Sequence, residues 1–397
     1  MTRKSGLVVL VFSLVLVASL MAGAVWRRSG PDPDGPVKQM GIMVEVYQHI
    51  YDEYVTTPNL PKVSDGALHG LLESLDSDSS YLNASEYKTY EAEQAHPPAG
   101  GIEAVVSKRV GYADVVDVQP GGDAAKAGLQ RGDFIEAIDD AGTRELSLEE
   151  IHRRLRGTVG SSVTLSVVHL HESDPVKVVI PRVAPTTAAL GSRVENGIGI
   201  ITVPGFERGR TAQIAAAVKS LEGQGAKAIV LDLRNCGAGT YAEGEATANL
   251  FLPQGTITYL EGQKFPRLTT SAEAGKAVDA SGKLEVLVNF GTSGPAEVTA
   301  AALQGNGRAQ LIGDRTFGEG SAQKMIPVGD GSAVWLSVAR YYTPKGKLVQ
   351  DGLTPDVMQV QYAGALPDFD YPPLGVTGPQ ADLQMAKAVA LAGGGAS

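Results

Sequence analysis

The sequence predicts a multidomain α/β protein, in which a helical N-terminal segment is followed by a β-rich domain and an α/β core. Three observations support this prediction: helical spacing of apolar residues before residue 96, short β-rich runs between residues 98 and 183, and alternating strands and helices after residue 184. With 397 residues, 43% of them hydrophobic and 20% charged, the chain can bury two or three separate cores.

The helical segment is indicated by apolar residues that recur at helical spacing. Examples are Val44, Tyr47 and Tyr51 in its first part, and Leu68 and Leu72 in its second. A stretch rich in proline and glycine at residues 96–101 ends this pattern. We therefore predict that residues 29–97 form a linker and an N-terminal helical segment.

The β-rich domain is predicted to cover residues 98–183. Its short apolar and β-branched runs lie at residues 102–106, 114–118, 134–138 and 163–169. One helix at residues 147–156 interrupts them. Ser147 can cap the start of this helix, and Glu150 stands three residues later, which is a capping-box pattern.

The α/β core is predicted to cover residues 184–375, followed by a C-terminal helix and flexible tail at residues 376–397. Predicted strands lie at residues 198–203, 228–233, 285–289 and 309–312. Predicted helices lie between them at residues 211–222, 243–252 and 295–303. This alternation favours a sheet whose strands are largely parallel.

The first 28 residues are predicted to be a targeting segment. Arg3 and Lys4 precede an uncharged run at residues 7–26, about the length that a helix needs to cross a bilayer. The run also contains an A-x-A site at residues 22–24 that a signal peptidase could cut. A cleaved signal peptide and an uncleaved membrane anchor both remain open, and both place the rest of the chain outside the cytoplasm.

Charge and cysteine content exclude several kinds of site. The formal net charge is -10, and lysine and arginine are scattered, so a nucleic-acid partner is not expected. The single cysteine, Cys236, allows no intramolecular disulfide and no cysteine-based metal site. All six histidines precede residue 184, so a Ser-His-Asp arrangement within the core is excluded. We predict neither a metal nor a cofactor.

Several stretches resemble the carboxyl-terminal-processing peptidases, peptidase family S41, over roughly residues 40 to 385. They occur in the same order as in that family, at residues 72–76, 79–82, 100–102, 124–129, 132–133, 231–235, 313–318 and 339–344. The resemblance implies a PDZ domain in the β-rich region and a serine-peptidase-like core. It also implies that the PDZ domain binds peptide C-termini through the main chains of Gly101, Ile102 and Glu103. Because Glu103 replaces a small residue, its charge is expected to weaken carboxylate binding.

The resemblance also locates the catalytic positions, and it places Gly294 where the family has its nucleophilic serine. Glu319 stands at the position of the lysine base, and Gln323 matches the glutamine that orients that lysine. The residue after the nucleophile should donate an oxyanion hydrogen bond, but Pro295 has no N–H. The second oxyanion donor is expected from the turn that contains Gly239.

These replacements predict a pseudopeptidase that binds peptide C-termini or cell-envelope proteins without cutting them. One alternative is an active serine endopeptidase with a relocated nucleophile such as Ser293, assisted by Lys324. Another is a structural subunit that pairs with an active paralogue or with itself. Without a relocated nucleophile, Gly294 is expected to cap a helix, with Pro295 at its first position and Glu297 at its third.

Overall fold

The computed structural model describes residues 36–95, 98–109, 111–119, 121–170, 172–184, 188–278, 282–361 and 382–394. The chain divides into two compact units, Met1–Ala67 and Leu68–Ser397. The predicted targeting segment lies outside the described residues. Within the described part of the chain, no helix has both the length and the apolar composition needed to cross a membrane.

The first unit contains helix α1, Pro36–Glu53, and most of helix α2, Leu60–Glu73. The Tyr47 hydroxyl donates a hydrogen bond of 2.7 Å to Ser64 Oγ, which joins the two helices. Many apolar side chains of α1 are exposed, among them Met40 and Val44.

After the end of α2, the second unit contains strand β1, Ser80–Leu82, and helix α3, Ala84–Ala95. The sequence pattern placed β1 within the helical segment, and the structure corrects this assignment. A strand of three residues is too short to show an alternating pattern of its own. It exists because it pairs with a distant strand, with Tyr81 opposite Val334.

An antiparallel domain follows, in which the sheet order is β2-β3-β4-β6-β7 with β5 paired to β4. Its strands are β2 Ala104–Arg109, β3 Tyr112–Val118, β4 Phe134–Ile138, β5 Ala141–Gly142, β6 Ser162–Val168 and β7 Val176–Pro181. Its α-helices are α4 Asp123–Lys126 and α5 Leu148–Leu155. The predicted cap of α5 is confirmed, because the Ser147 side chain accepts a hydrogen bond from Glu150 N at 3.1 Å.

The core contains a six-stranded sheet in the order β17-β14-β13-β10-β9-β8. All pairings are parallel except that of β8 with β9. The strands are β8 Gly191–Glu195, β9 Ile198–Thr202, β10 Ala228–Asp232, β13 Lys283–Val288, β14 Gln310–Gly313 and β17 Val357–Met358. Every residue of β10 is buried, as expected for a strand covered on both faces.

Helices cover both faces of this sheet. They are α6 Arg210–Gly223, α7 Tyr241–Phe251, α8 Pro295–Gly305 and α9 Leu383–Ala392. Residues of α6, α7 and α8 share one buried cluster with Leu231, whereas α9 shares another with Val230. Adjacent residues of β10 therefore face opposite layers, which gives a three-layer α/β core.

A second, antiparallel sheet in the order β1-β16-β11-β12, with β15 paired to β16, was not predicted. Its other strands are β11 Thr256–Glu261, β12 Leu268–Ser271, β15 Ser321–Pro327 and β16 Ala333–Tyr342. The pairing of β1 with β16 attaches the segment before the antiparallel domain to the core.

Candidate functional site

The candidate site lies at the carboxyl ends of the adjacent parallel strands β10 and β13, where ligands commonly bind in α/β sheets. Asn289 Oδ1 accepts hydrogen bonds from Asn235 N and Gly291 N, both at 3.0 Å. Thr292 Oγ1 donates to Leu233 O at 2.8 Å. These bonds hold the turn after β13 against the turn after β10.

Gly294 connects this turn to helix α8. Its φ is +53° and its ψ is -114°, a conformation that L side chains rarely adopt. A sharp, strained turn between a strand and a helix is also how nucleophile elbows present a catalytic serine. Pro295 is the first residue of α8 and Glu297 the third, with Glu297 Oε2 accepting from Gly294 N at 3.1 Å. The predicted helix cap is thus confirmed.

The Glu297 carboxyl group is fully buried and joins the two turns of the site. Besides Gly294 N, it accepts from Gly318 N at 2.9 Å, from Glu319 N at 2.7 Å and from Thr316 Oγ1. Burial raises the pKa of Glu297 to about 8, and these donors oppose that shift. Sequence reasoning assigned this residue only to the helix start and missed its contacts with residues 316–319.

Gly294 and Glu319, the positions predicted for the nucleophile and the base, face each other. A Cβ atom built on Gly294 would lie 3.7 Å from Glu319 Oε2 and 3.6 Å from Tyr241 Oη. Tyr241 Oη donates to the backbone oxygen of Glu319 at 3.2 Å. Burial and the negative charge of Asp78 raise the pKa of Glu319 to about 7. The carboxyl group therefore takes up a proton more readily than an exposed glutamate does.

Asp78 is a residue of this site that sequence reasoning missed. It is buried, it raises the pKa of Glu319, and its carboxyl accepts a hydrogen bond from Ser321 Oγ. Gln323, predicted to orient a base, instead donates to Ser321 Oγ at 2.7 Å. Asp78 is 243 positions from Ser321 along the chain, so no local signal could have revealed this contact.

Ser293 is buried with no exposed surface, and its hydroxyl has no hydrogen-bond partner of normal geometry among the described residues. It nevertheless lies close enough to Glu319 to favour the ionised form of that carboxyl group. Lys324 is exposed on β15 opposite Leu336. The structure therefore brings Ser293 near a carboxyl group, whereas the predicted relocated pair required Lys324.

Cys236 also lies beside Ser293, whose amide donates to Cys236 O at 3.0 Å. Burial raises the pKa of the Cys236 thiol well above its ordinary value. The thiol is therefore protonated at neutral pH, which argues against a nucleophilic role. Among the described residues, no three His, Cys, Asp or Glu side chains form a group that could hold a metal ion.

The predicted oxyanion region contains Pro295 and Gly239. Pro295 has no N–H, so its main chain cannot donate to a ligand. Gly239 has a φ of +114° and forms an isolated parallel β-bridge with Phe206. In this bridge Phe206 N donates a hydrogen bond to Ala238 O, and Thr240 N donates one to Phe206 O. A side chain at Gly239 would collide with the Phe206 backbone. This turn is therefore built around a close backbone approach that requires glycine.

The predicted carboxylate-binding loop precedes β2. Gly101 N donates to Val183 O at 2.9 Å, and Val183 N donates back to Gly101 O at 2.9 Å. The expected role of the Gly101 amide is corrected accordingly, because a ligand would have to break this pairing. Ile102 and Glu103 do line a cavity, as described below.

Glu103 adopts a φ of +53°, and its carboxyl oxygen accepts from Asp123 N at 2.8 Å. The side chain therefore caps the start of α4. This hydrogen bond gives the Glu103 carboxylate a partner within the domain. The positive φ at this position is a backbone conformation that glycine would adopt with less strain.

A cavity of about 450 Å³ connects the antiparallel domain with the core. Its walls are residues 101–107 along β2, one side of α5, residues 237–239 and Glu319. A neighbouring cavity of about 140 Å³ contains Asp78 and shares Ser107 and Glu319 with the first. Glu319 thus stands where the groove beside β2 meets the smaller cavity.

Comparison with known proteins places this geometry in a family. Residues 197–359 match peptidase family S41, and residues 115–168 match a PDZ domain. The carboxy-terminal-processing protease of Bartonella bacilliformis is 32% identical over 330 residues, covering 82% of this chain and 76% of that protein. The carboxyl-terminal-processing protease of Synechocystis sp. is 31% identical over 337 residues, covering 83% of this chain and 77% of that protein.

A solved structure gives the same result. The photosystem II D1 C-terminal processing protease matches with a TM-score of 0.66 and 26% identity, covering 80% of this chain and 86% of that one. The predicted fold class and family resemblance are confirmed by these matches. The protein therefore belongs to the carboxyl-terminal-processing proteases of peptidase family S41 and carries a PDZ domain.

Proposed function

We propose that this chain is a pseudopeptidase that captures peptide C-termini, or proteins of the cell envelope, without cutting them. The observation that carries the proposal is the pairing of Gly294 with Glu319. A Cβ atom on Gly294 would lie 3.7 Å from Glu319 Oε2, yet neither residue supplies a nucleophile or a basic amine. Removing the nucleophile of a serine peptidase lowers turnover by about 10^6.

Pro295 adds a further defect to the same site. An oxyanion donor at this position would stabilise the tetrahedral intermediate, and loss of one such donor costs about 10^2 to 10^3 in turnover. The main chain of Pro295 has no proton to donate. The proposal therefore rests on missing side chains and on a missing backbone donor, which are independent features of the sequence.

The alternative function is an active serine endopeptidase that uses Ser293. The closeness of its hydroxyl to Glu319 favours this alternative, since a carboxylate with a pKa of about 7 could accept a proton. Against it, Ser293 is fully buried, so a peptide carbonyl cannot approach its Oγ without rearrangement of the turn. We therefore favour the pseudopeptidase.

We expect no hydrolysis of an unstructured casein-like substrate by the purified chain beyond that of a Ser293→Ala variant. The comparison is made by mass spectrometry of products after prolonged incubation. The matched control is Ser332→Ala, which removes a buried hydroxyl on another turn. Turnover that persists in Ser332→Ala and disappears in Ser293→Ala would overturn the pseudopeptidase proposal in favour of the alternative.

Peptide capture is assigned to the groove between β2 and α5. An extended peptide can pair with the edge of β2 while its terminal carboxylate meets the loop containing Ile102 and Glu103. We propose residues 98–183 as the PDZ domain, residues 184–375 as the peptidase-like core and residues 376–397 as its C-terminal helix and tail. The targeting segment at residues 7–26 supports an extracytoplasmic location, at the membrane or after export.

We expect a peptide with a free C-terminal carboxylate to bind the purified chain more tightly than its C-terminal amide. Affinity should be modest, because Gly101 N is paired with Val183 and Glu103 adds a negative charge to the loop. Isothermal titration calorimetry of the two peptides measures the difference. Equal binding by both, or binding by neither, would contradict the assignment of the loop.

Complex formation with a paralogue or a second copy in the absence of peptide binding would instead support a structural subunit.

A further inference from the structure

A cavity of about 780 Å³ lies against the antiparallel sheet that contains β11, β15 and β16. It is lined by residues 260–265, at the end of β11 and in the turn that follows, and by parts of β15 and β16. It shares no lining residue with the two cavities at the candidate site. Ligand-binding cavities usually measure about 300–1,000 Å³, so this one is large enough to hold a ligand of its own.

Apolar side chains form much of its wall. Four of them are half-buried and a fifth, Ile326, is 38% exposed; the four are Leu260, Phe265, Leu336 and Val338. In the part of the chain that the structure describes, none of the five belongs to a buried core cluster or packs against one. Their apolar surface is therefore left for the apolar groups of a ligand to cover, which is favourable in a concave site.

One side of the cavity is held in place by stacked side chains. Tyr342 lines the cavity, and its ring is stacked on that of Tyr259 with 4.8 Å between the centroids. The Arg267 guanidinium lies 4.0 Å from the Tyr259 centroid and donates a hydrogen bond to Glu261 Oε2 at 2.7 Å. This arrangement orders the wall before a ligand binds. It also pairs the charge of Glu261, the acidic residue among those lining the cavity.

Three cationic side chains line the same cavity, those of Lys264, Lys324 and Arg340. Among the described residues, neither lysine forms an ion pair, and the ion pair of Arg340 with Asp76 Oδ2 is long, at 3.9 Å. Because salt screens charges over about 8 Å at physiological ionic strength, these cations determine the potential in the cavity more than the net charge of the chain does. The wall is therefore positive, and an anionic group complements it.

Protection of a strand edge explains only one of the two lysines. In the described sheet β15 pairs with β16 alone, and a lysine on an edge strand commonly prevents pairing with another chain. Lys324 can serve this purpose. Lys264 cannot, because it lies in the turn between β11 and β12. The two lysines reach one cavity from different elements, and edge protection gives no reason for this convergence.

We propose that this cavity binds an acidic peptide segment that also carries apolar side chains, at a site separate from the PDZ groove. The carboxylates of the peptide pair with Lys264 and Lys324, and its apolar side chains cover Phe265, Leu336 and Val338. A small inorganic anion would leave the apolar wall exposed to water, and a flat membrane surface does not fill a concave site. A peptide supplies both kinds of group in one ligand.

The test is fluorescence anisotropy of a labelled peptide of alternating glutamate and leucine, acetylated at its N-terminus and amidated at its C-terminus, titrated with the purified chain. The amide removes the terminal carboxylate that the PDZ groove is proposed to bind. Two matched peptides replace every glutamate by glutamine or every leucine by serine. We expect the glutamate–leucine peptide to bind at least about tenfold more tightly than either, which corresponds to about 1.4 kcal/mol. High salt should weaken this preference.

The variant that combines Lys264→Gln with Lys324→Gln should bind the glutamate–leucine peptide no more tightly than the glutamine–leucine peptide. The matched control is Lys219→Gln, since this exposed lysine of α6 lies outside the cavity and its replacement removes the same charge. The control should bind the glutamate–leucine peptide as the unmodified chain does.

Equal binding of the glutamate and glutamine peptides would overturn the inference, as would undiminished binding by the double lysine variant. If replacing leucine by serine changes nothing, the cavity attracts anions without recognising a peptide, and the inference is wrong. It is also wrong if the chain sediments with phosphatidylserine vesicles through Lys264 and Lys324 while showing no preference among the peptides. Each of these outcomes leaves the PDZ groove untouched, because capture there is measured with free-acid peptides.

Discussion

Restoring only the two missing side chains, Gly294→Ser with Glu319→Lys, should leave a far slower enzyme than the triple variant that also carries Pro295→Ala. The Cβ position of Gly294 is unobstructed and lies 3.7 Å from Glu319 Oε2, so the new serine and lysine can meet. Pro295 would still withhold the backbone donor that stabilises the oxyanion. We expect the triple variant to be faster by about 10^2 to 10^3.

The comparison is made with single-turnover hydrolysis of the same unstructured peptide. Adding Ser293→Ala to the triple variant is the matched control and should leave hydrolysis in place, since Ser293 is not the restored nucleophile. A serine at the positive φ of Gly294 stores about 1–3 kcal/mol of strain, so all variants are first compared by thermal unfolding. Equal rates for the double and triple variants would show that Pro295 does not occupy the oxyanion position.

The negative charge of Asp78 acts on the group at position 319, so we expect the restored activity to depend on pH in a defined direction. A negative charge beside the introduced lysine favours its ammonium form, whereas the base must be neutral. Activity of the triple variant, measured as hydrolysis of the same peptide across a pH series, should therefore rise towards alkaline pH. Adding Asp78→Asn should move this rise to lower pH, and an unchanged profile would show that Asp78 does not act on the base.

The parts of the fold and site that are predicted correctly are determined by residues close to one another in the sequence. Gly294, Pro295 and Glu297 form a helix start through spacing alone, and Ser147 caps α5 for the same reason. Strands β9, β10 and β13 were recognised because strands buried on both faces have nearly continuous apolar runs. Such signals require no knowledge of distant contacts.

The features that were missed depend on pairings between distant parts of the chain. The main chain of Gly101 was assigned to peptide binding because nothing in the sequence indicates that it forms a bridge with Val183. Strand β1 exists through its register with β16, and Asp78 enters the site through the same attachment. Strand formation depends on cross-strand neighbours more than on intrinsic propensity, so these pairings appear only in the folded chain.

Glu297→Ala should be among the most destabilising single substitutions in the core. Removing its carboxyl leaves the buried amides of Gly294 and Gly318, and the partly buried amide of Glu319, without acceptors. Each unsatisfied buried group costs about 1–3 kcal/mol, and partial relaxation of the turns should leave a net loss of about 3–5 kcal/mol. For a core of this size, the melting temperature should fall by about 10 °C.

Glu243 provides the comparison for Glu297, because its carboxyl receives two backbone amides and a threonine hydroxyl, against three amides and a threonine hydroxyl at Glu297. Gly209 N and Thr211 N donate to it at 2.7 and 2.9 Å, and Thr211 Oγ1 donates at 2.6 Å, but Glu243 is partly exposed. Water can replace its carboxyl in Glu243→Ala, so we expect a loss of only about 1 kcal/mol. If thermal unfolding gives the two alanine variants similar losses, Glu297 does not hold the turns of the site together, and the short distance between Gly294 and Glu319 must be maintained by other contacts.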